Sequence, residues 1–152
     1  MLIHGAWHGG WCWRRVLPHL QSAGHSVFTP TLSGLGERAH ALSADITLDT
    51  FAHDIIGVLE MEDLTDVILV GHSFGGYVVT AVADRMPERL RCLVYLDAGV
   101  GENGKSVFDQ MAPEIVAERL AAAKQQGGGI SLPVPPAKTF HVTDPADQAW
   151  VS

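Results

Sequence analysis

The sequence predicts an α/β protein in which a parallel sheet is covered by helices on both faces. Apolar runs of strand length alternate along the chain with segments of helical periodicity, a pattern typical of parallel strands joined by right-handed crossover helices. The apolar run 67–70 stops at a short glycine-rich turn, and a second apolar run without Gly or Pro, 77–83, follows at once. That order indicates a buried strand, a sharp turn and a buried helix. With 152 residues, the chain has room for one domain with a real core and is too short for two.

The predicted elements follow one another along the first hundred residues. A strand ending at 2–4 runs into a loop rich in glycine, residues 4–11, which we call the glycine-rich loop. Apolar residues at i, i+3, i+4, i+7, i+8 and i+11 between Leu48 and Leu59 predict one face of a helix that packs on a sheet. The other predicted elements are a helix over 13–23, a strand over 26–29 stopped by Pro30, a long loop over 31–45, a helix closed by Pro87, and a strand over 92–97.

The character of the chain changes after Gly101. Scattered apolar residues predict short amphipathic helices, the second of which starts at Pro113 and ends in the Gln-Gln-Gly-Gly-Gly run at 125–129. A mobile, proline-containing connection is predicted over 127–136. We therefore predict an incomplete α/β core over residues 1–100 and the start of a helical cap over residues 101–152.

A serine bracketed by glycines, in Gly71-His72-Ser73-Phe74-Gly75, lies between the predicted strand at 67–70 and the helix after it. Such a turn needs small residues two before and two after the serine, because a Cβ there would collide with the neighbouring element. The bend strains the serine backbone and lifts the hydroxyl clear of the sheet, as a nucleophile requires. Ser73 is therefore the candidate catalytic residue.

The glycine-rich loop, His4-Gly5-Ala6-Trp7-His8-Gly9-Gly10-Trp11, follows the first strand. A loop in that place supplies a backbone N–H to an oxyanion hole in hydrolases, because small residues let a substrate approach the amide. We predict that the amides of Ala6 and Phe74 have this role. Three tryptophans are candidates for lining an apolar pocket, with packing of the loop on the next helix as the alternative, preferred for the last two: Trp7, Trp11 and Trp13.

Composition argues against several classes of partner and ligand. A net charge of −7 without a Lys/Arg cluster argues against nucleic acid. The apolar runs are too short for a membrane segment, and the first residues lack the features of a signal peptide, so a cytoplasmic location is expected. Cys12 and Cys92 match no metal or redox spacing and are expected to be reduced thiols. The eight histidines show no ligand spacing, so we predict neither a metal nor a cofactor.

With both motifs in place, the sequence resembles the α/β-hydrolase fold, and more narrowly the branch of plant methylesterases, hydroxynitrile lyases and related bacterial esterases. The likeness runs from Leu2 to about Asp109 and is strongest in the glycine-rich loop and around Ser73. It implies a serine nucleophile, an oxyanion hole formed by backbone amides, and a helical cap after the strand that ends at Asp97. Residues assigned to the substrate pocket on this basis are Gly5, Trp7, His72 and Phe108.

Two positions favour an esterase over a lyase. Lyases that this sequence resembles carry a threonine where this chain has Gly5, and a glutamate where it has His72. A threonine hydroxyl would hold a cyanohydrin oxygen, whereas glycine leaves room for the carbonyl group of an ester.

The resembled family takes its triad acid and histidine from strands after the cap, and this sequence offers no counterpart to either. Asp97 is a weak candidate for the acid, with a hydrogen bond to local backbone as the preferred alternative. His4 and His8 are expected to brace the glycine-rich loop, the His72 side chain is expected to leave the turn in another direction, and His141 belongs to the cap.

These features lead to one expectation about activity and one about association. The sequence is expected to be the N-terminal part of a longer enzyme, and to be inactive or nearly so by itself. It is also expected to expose the 92–96 strand as an apolar edge, which invites either a homodimer or aggregation.

The leading functional prediction is a serine carboxylic-ester hydrolase that acts on small or medium lipophilic esters. Two alternatives keep the fold without turnover. One is a ligand-binding module with an intact pocket, and the other is an inactive fragment.

Overall fold

The computed structural model describes residues 1–151. The chain divides into two compact units, Met1–Gly101 and Glu102–Ser152. The candidate site residues other than Phe108 all lie in the first unit.

A three-stranded parallel sheet forms the centre of the first unit. Its strands are β1 (Leu2–Ile3), β2 (Val67–His72) and β3 (Leu90–Leu96), in the spatial order β1-β2-β3. Val70 of β2 lies opposite Leu2 on one side and Val94 on the other. The prediction of a parallel sheet combined with helices is therefore confirmed.

Three helices accompany this sheet: α1 (Leu17–Ser22), α2 (Leu48–Met61) and α3 (Gly75–Arg85). Thr47 caps α2 reciprocally with Thr50, since each threonine hydroxyl accepts a hydrogen bond from the other residue's backbone N–H. Apolar residues of α2 and α3 pack together with the sheet, and the largest fully buried apolar side chains are Ile3, Leu32, Ile55, Leu59, Leu69, Val78, Val79 and Val82.

Two predicted elements in the first unit differ from the structure. The helix predicted over 13–23 begins only at Leu17, after a 3₁₀ turn over Gly10–Trp13. A helix from residue 13 would need a backbone N–H at Pro18, whereas a start at Leu17 places Pro18 in the first turn, where none is needed. The strand predicted over 26–29 is not found, although this segment lies beside β1 and the Phe28 carbonyl accepts a hydrogen bond from the Leu2 N–H (2.9 Å).

The second unit is helical in the part that the structure describes. It contains α4 (Pro113–Gln126), α5 (Pro145–Val151), and short 3₁₀ turns at Phe108–Gln110 and Ala137–Phe140. The bounds of α4 confirm the predicted helix, which starts at its proline. The sequence analysis missed α5, although Asp144 before Pro145 is a helix-start signal: its carboxylate accepts hydrogen bonds from the N–H groups of Ala146 (2.8 Å) and Asp147 (3.0 Å).

β3 forms one edge of the sheet, and several of its side chains are exposed. Val94, Tyr95 and Leu96 are 39%, 37% and 46% exposed, and Cys92 is also exposed. No helix within residues 1–151 combines the length and the apolar character needed to cross a membrane.

The start of α3 packs directly on the end of β1, which makes Gly75 sensitive to substitution. A Cβ at Gly75 would lie 2.8 Å from the carbonyl oxygens of both Ile3 and His4, and backbone atoms cannot easily move away. A Cβ added at Gly57, in the middle of α2, would meet no atom within 4 Å apart from its chain neighbours and the nearby backbone of α2.

Gly75→Ala is expected to lower the free energy of unfolding by about 1–3 kcal/mol through overpacking. Gly57→Ala, the matched control, is expected to raise it by about 0.5–1 kcal/mol, because alanine restricts the unfolded chain and favours the helix. Urea denaturation followed by circular dichroism measures both. Equal effects of the two substitutions would contradict this account of the strand–helix crossing.

Candidate active site

Ser73 lies in the tight turn between β2 and α3, and its backbone is left-handed, with φ of 53°. For a non-glycine residue that conformation is strained and persists only where the surroundings impose it. Hydrogen bonds to the Ser73 backbone hold this conformation. The Ser73 carbonyl accepts from the N–H groups of Gly76 and Gly99, both at 3.1 Å, and the Ser73 N–H donates to the Leu96 carbonyl (3.4 Å). The Ser73 side chain is exposed, and its hydroxyl has no hydrogen-bond partner among residues 1–151.

Gly71 allows the turn to close, as the sequence analysis expected. A Cβ at Gly71 would lie 2.6 Å from the Gly75 carbonyl oxygen and 2.8 Å from a methyl group of Val79. Any larger residue at position 71 would therefore push α3 away from the end of β2.

The glycine-rich loop passes directly beside Ser73. A Cβ at Gly5 would lie 3.0 Å from the Ser73 Cβ and 3.2 Å from Nδ1 of His72. The amides of Ala6 and Phe74 find no acceptor within the described part of the chain, and Phe74 immediately precedes the positive end of the α3 dipole. Two unpaired N–H groups next to an exposed hydroxyl suit a ligand oxygen that carries negative charge.

His4 is fully buried and uses both ring nitrogens. The Leu32 N–H donates to Nε2 (3.1 Å), so the proton of the neutral ring is on Nδ1, which donates to the Gly5 carbonyl (2.8 Å). Burial lowers the pKa of His4; His8 and His72 lower it further, while the Gly5 hydrogen bond and Glu37 oppose the shift. His4 therefore supports the glycine-rich loop and has no free nitrogen for a proton from Ser73.

The other histidines have different surroundings. Nδ1 of His8 donates to the Ala6 carbonyl (2.8 Å). His72 is half-buried, with its ring edge-on to Trp13 at 6.1 Å between centroids. Burial lowers the pKa of His72, His8 acts in the same direction, and Asp97 acts against it. His141 belongs to the second unit, where it has a left-handed backbone with φ of 55°.

Asp97 follows β3 at the same end of the sheet as Ser73, and its backbone is left-handed, with φ of 44°. Its side chain is exposed and has no hydrogen bond to any other of residues 1–151, so the expected bond to local backbone is not found. Its electrostatic influence reaches His72. The structure thus places Asp97 near His72 without a hydrogen-bonded acid–histidine pair.

The three tryptophans of the N-terminal region differ in burial. Trp13 is only 8% exposed, so packing explains it. Trp7 and Trp11 are half-buried, Trp7 has a φ of 64°, and the Trp11 ring lies 5.6 Å from that of His8. Phe108 lies in the 3₁₀ turn that opens the second unit, and its place in the pocket stays a prediction.

Sequence reasoning missed two residues that hold the glycine-rich loop. The Gly10 N–H donates to Oγ1 of Thr31 (2.7 Å), and the Leu32 N–H bonds to His4 as described. These contacts join residues 21 and 28 positions apart, so no local spacing signals them.

A groove of about 390 Å³ lies at the opposite end of the sheet from Ser73. It is lined by residues at the N-terminal ends of the strands and by the segment beside β1, among them Met1, Phe28, Asp66, Val67 and Arg91. Neither Ser73 nor Gly5 lines it, and its lining contains no nucleophile paired with a base, so we do not assign the chemistry to it.

The part of the chain that the structure describes offers neither a metal site nor a disulfide. Residues 1–151 contain no cluster of three or more His, Cys, Asp or Glu side chains arranged to hold a metal ion. Cys12 and Cys92 are free thiols, and burial raises the pKa of Cys12 to about 11.

Comparisons with known proteins agree with this geometry. The sequence model described as "Alpha/beta hydrolase family" matches residues 1–152. A carbendazim hydrolyzing esterase of Nocardioides sp. (strain SG-4G) is 47% identical over 161 residues, which cover 100% of this chain and 65% of the esterase. An alpha-hydroxynitrile lyase of Arabidopsis thaliana is 37% identical over 99 residues, which cover 64% of this chain and 38% of the lyase.

Among solved structures, an extracellular alpha/beta-hydrolase from a Paenibacillus species superposes with a TM-score of 0.87 and 28% identity. The match covers 99% of this chain and 62% of that protein. The chain thus spans 65% or less of the length of each of these three proteins. The resemblance predicted from the sequence is confirmed.

The burial of His4 predicts a pH-dependent stability. Since the pKa of His4 lies below its usual 6.5 in the folded chain, the unfolded chain binds more protons as the pH falls below that value. The contribution of neutral His4 is therefore complete above about pH 6.5 and is lost as the pH falls toward the folded pKa. Urea midpoints between pH 8 and pH 5 should fall less steeply for His4→Gln than for the unsubstituted chain. The exposed His40 provides the control, His40→Gln; an unchanged slope for His4→Gln would contradict the prediction.

Proposed function

Because the chain belongs to the alpha/beta hydrolase family, we propose that it is a serine carboxylic-ester hydrolase with Ser73 as its nucleophile. The observation that carries the proposal is the exposed, left-handed Ser73 beside two amides without acceptors, those of Ala6 and Phe74. The similarity to an esterase along the whole chain supports the same reaction class.

The proposed reaction has two stages. Oγ of Ser73 bonds to the ester carbonyl carbon as a base accepts the hydroxyl proton, and the carbonyl oxygen becomes an anion held by the Ala6 and Phe74 amides. Collapse of this intermediate breaks the ester C–O bond, and the alcohol leaves with the proton. Water then attacks the acyl-serine, releasing the carboxylic acid and restoring the hydroxyl.

The histidines around Ser73 leave the base unassigned within residues 1–151. Both ring nitrogens of His4 are hydrogen-bonded to backbone groups, and Nδ1 of His8 is hydrogen-bonded to the Ala6 carbonyl. Neither histidine is hydrogen-bonded to Ser73 Oγ. A serine hydroxyl without a positioned base is a poor nucleophile at neutral pH. We therefore propose that residues 1–152 alone turn over esters slowly or not at all.

The environment of Ser73 supports small or medium lipophilic esters as substrates. Gly5 adds no side-chain atoms of its own to the space beside Ser73, and the half-buried Trp7 and Trp11 provide apolar surface on the glycine-rich loop. The relative with the highest identity of those described above is named as an esterase that hydrolyses carbendazim.

Two other functions are less favoured. The similarity to an alpha-hydroxynitrile lyase favours lyase chemistry. Gly5 and His72, however, are the residues expected of an esterase at these two positions. Within residues 1–151 no base is hydrogen-bonded to Ser73, which favours a ligand-binding module without turnover. A fluorophosphonate distinguishes this second alternative, because only an activated serine forms the adduct.

Ser73→Ala tests the nucleophile. In a form of the enzyme that hydrolyses an aryl ester, the substitution should reduce kcat on the order of a million-fold and leave the circular dichroism spectrum unchanged. The fluorophosphonate adduct, located by peptide mass spectrometry, should be on Ser73 and be lost in the variant. Activity above about a hundredth of the parent would remove Ser73 from the proposed mechanism.

Gly5→Thr tests the position of the oxyanion site. The new Cβ would enter space 3.0 Å from the Ser73 Cβ, and the hydroxyl would compete for the carbonyl oxygen of the ester. We expect kcat/KM for a small aryl ester to fall about a hundredfold to a thousandfold, the range for losing one oxyanion donor. Gly57→Ala serves as a control for expression and folding. An unchanged kcat/KM would show that Gly5 does not border the reacting ester.

A further inference from the structure

The glycine-rich loop is held by a second loop, residues 31–38, which we call the support loop. Backbone groups of the two approach closely: a Cβ at Gly36 would lie 3.2 Å from the Gly9 Cα, and one at Gly9 would lie 3.1 Å from Oγ1 of Thr31. The glycine-rich loop has three glycines, which restrict the backbone weakly, and hydrogen bonds from His4 and His8 to its own carbonyl groups. Contacts with the support loop add to these internal bonds in holding its shape.

Thr31 makes the central contact between the two loops. It is 5% exposed, and its Oγ1 accepts the Gly10 N–H at 2.7 Å. The Thr31 side chain is also the largest influence that lowers the pKa of the Glu37 carboxylate, which belongs to the support loop. The hydrogen bond from the Gly10 N–H therefore joins the glycine-rich loop to the support loop at Thr31.

A second contact lies at the other end of the glycine-rich loop. His4 accepts a hydrogen bond from the Leu32 N–H and donates one to the Gly5 carbonyl, which directly precedes the Ala6 amide. Thr31 and Leu32 thus hold Gly10 and His4 from adjacent positions, and Ala6 lies in the span between these two attachments.

The support loop is in turn fastened to α2. Asp54 of α2 accepts hydrogen bonds from the Ser33 N–H (2.7 Å) and hydroxyl (2.8 Å) and lies 3.1 Å from the Arg38 guanidinium. Arg38 also donates to the Thr31 carbonyl (2.9 Å). A continuous series of polar contacts therefore runs from a packed helix, through Thr31, to the loop that carries Ala6.

We propose that Thr31 is a positioning residue that fixes the glycine-rich loop, and with it the Ala6 amide, for binding an oxyanion. The inference rests on the proposed function in assigning Ala6 to that oxyanion, but the loop contact itself can be measured without turnover. The Thr31 side chain is bonded to Gly10, so its effect reaches Ala6 through the backbone of the glycine-rich loop.

The first experiment measures amide hydrogen exchange of Gly10 by NMR in the full chain. Thr31→Val keeps the shape and removes the hydroxyl, so Gly10 exchange should accelerate about tenfold or more as its hydrogen bond is lost. Thr31→Ser restores the hydroxyl and should return the rate to within about threefold of the parent. Thr80→Val is the matched control, because it removes a half-buried hydroxyl with two hydrogen bonds, to Gly76 and Tyr95, away from both loops.

The second experiment titrates phenylacetate, a carboxylate product analogue, and follows the Ala6 amide proton. In the parent and in Thr80→Val the resonance should move downfield. In Thr31→Val the apparent Kd should rise about tenfold or more, since a displaced donor binds an anion poorly. Thr31→Ser should recover the parent titration.

The outcomes separate the inference from the proposed function. Unchanged Gly10 exchange in Thr31→Val, or equal acceleration in Thr80→Val, would overturn the positioning role. If the parent chain shows no Ala6 shift, the oxyanion assignment fails, while the exchange comparison still decides the role of Thr31. Should Thr31→Val not fold, the partly exposed Arg38→Met loosens the same loop from outside and should accelerate Gly10 exchange in the same direction.

Discussion

The close crossing of α3 over the ends of β1 and β2 is the constraint on which the candidate site depends. Backbone atoms meet there with no space for side chains at Gly71 and Gly75, and the carbonyl groups of Ile3 and His4 lie against the first turn of α3. This contact brings together three segments distant in sequence: the glycine-rich loop, Ser73, and the Gly99 region that follows β3. The geometry of the candidate site thus follows from how closely a helix and two strands can pack.

Local patterns in the sequence were enough to predict the features that local chemistry decides. The glycine bracket around Ser73 and the proline at the start of α4 each produced the expected turn or helix. Pro18 contained equally clear information, because its missing N–H is compatible with the first turn of a helix and not with a helix that starts at residue 13. The absence of a strand over 26–29 has no such local signal.

Other features of the site were beyond local reasoning. Thr31, Leu32 and Asp54 look unremarkable as single residues, and their roles arise from contacts 21 or more positions apart. The assignment of nitrogen roles on His4 likewise needs the Leu32 N–H, which only the folded chain brings near. Long-range polar contacts of this kind depend on tertiary packing, and single-sequence periodicity does not encode them.

The left-handed backbone at Ser73 lowers the stability of the folded chain, while the proposed reaction requires a serine at this position. A non-glycine residue in that conformation costs roughly 1–2 kcal/mol, and glycine would carry almost none of this cost. Selection for thermal resistance alone would therefore favour glycine at position 73, and the serine would persist only under selection that also demands turnover. In a library of variants of this chain, the identity of residue 73 would record which of the two pressures had acted.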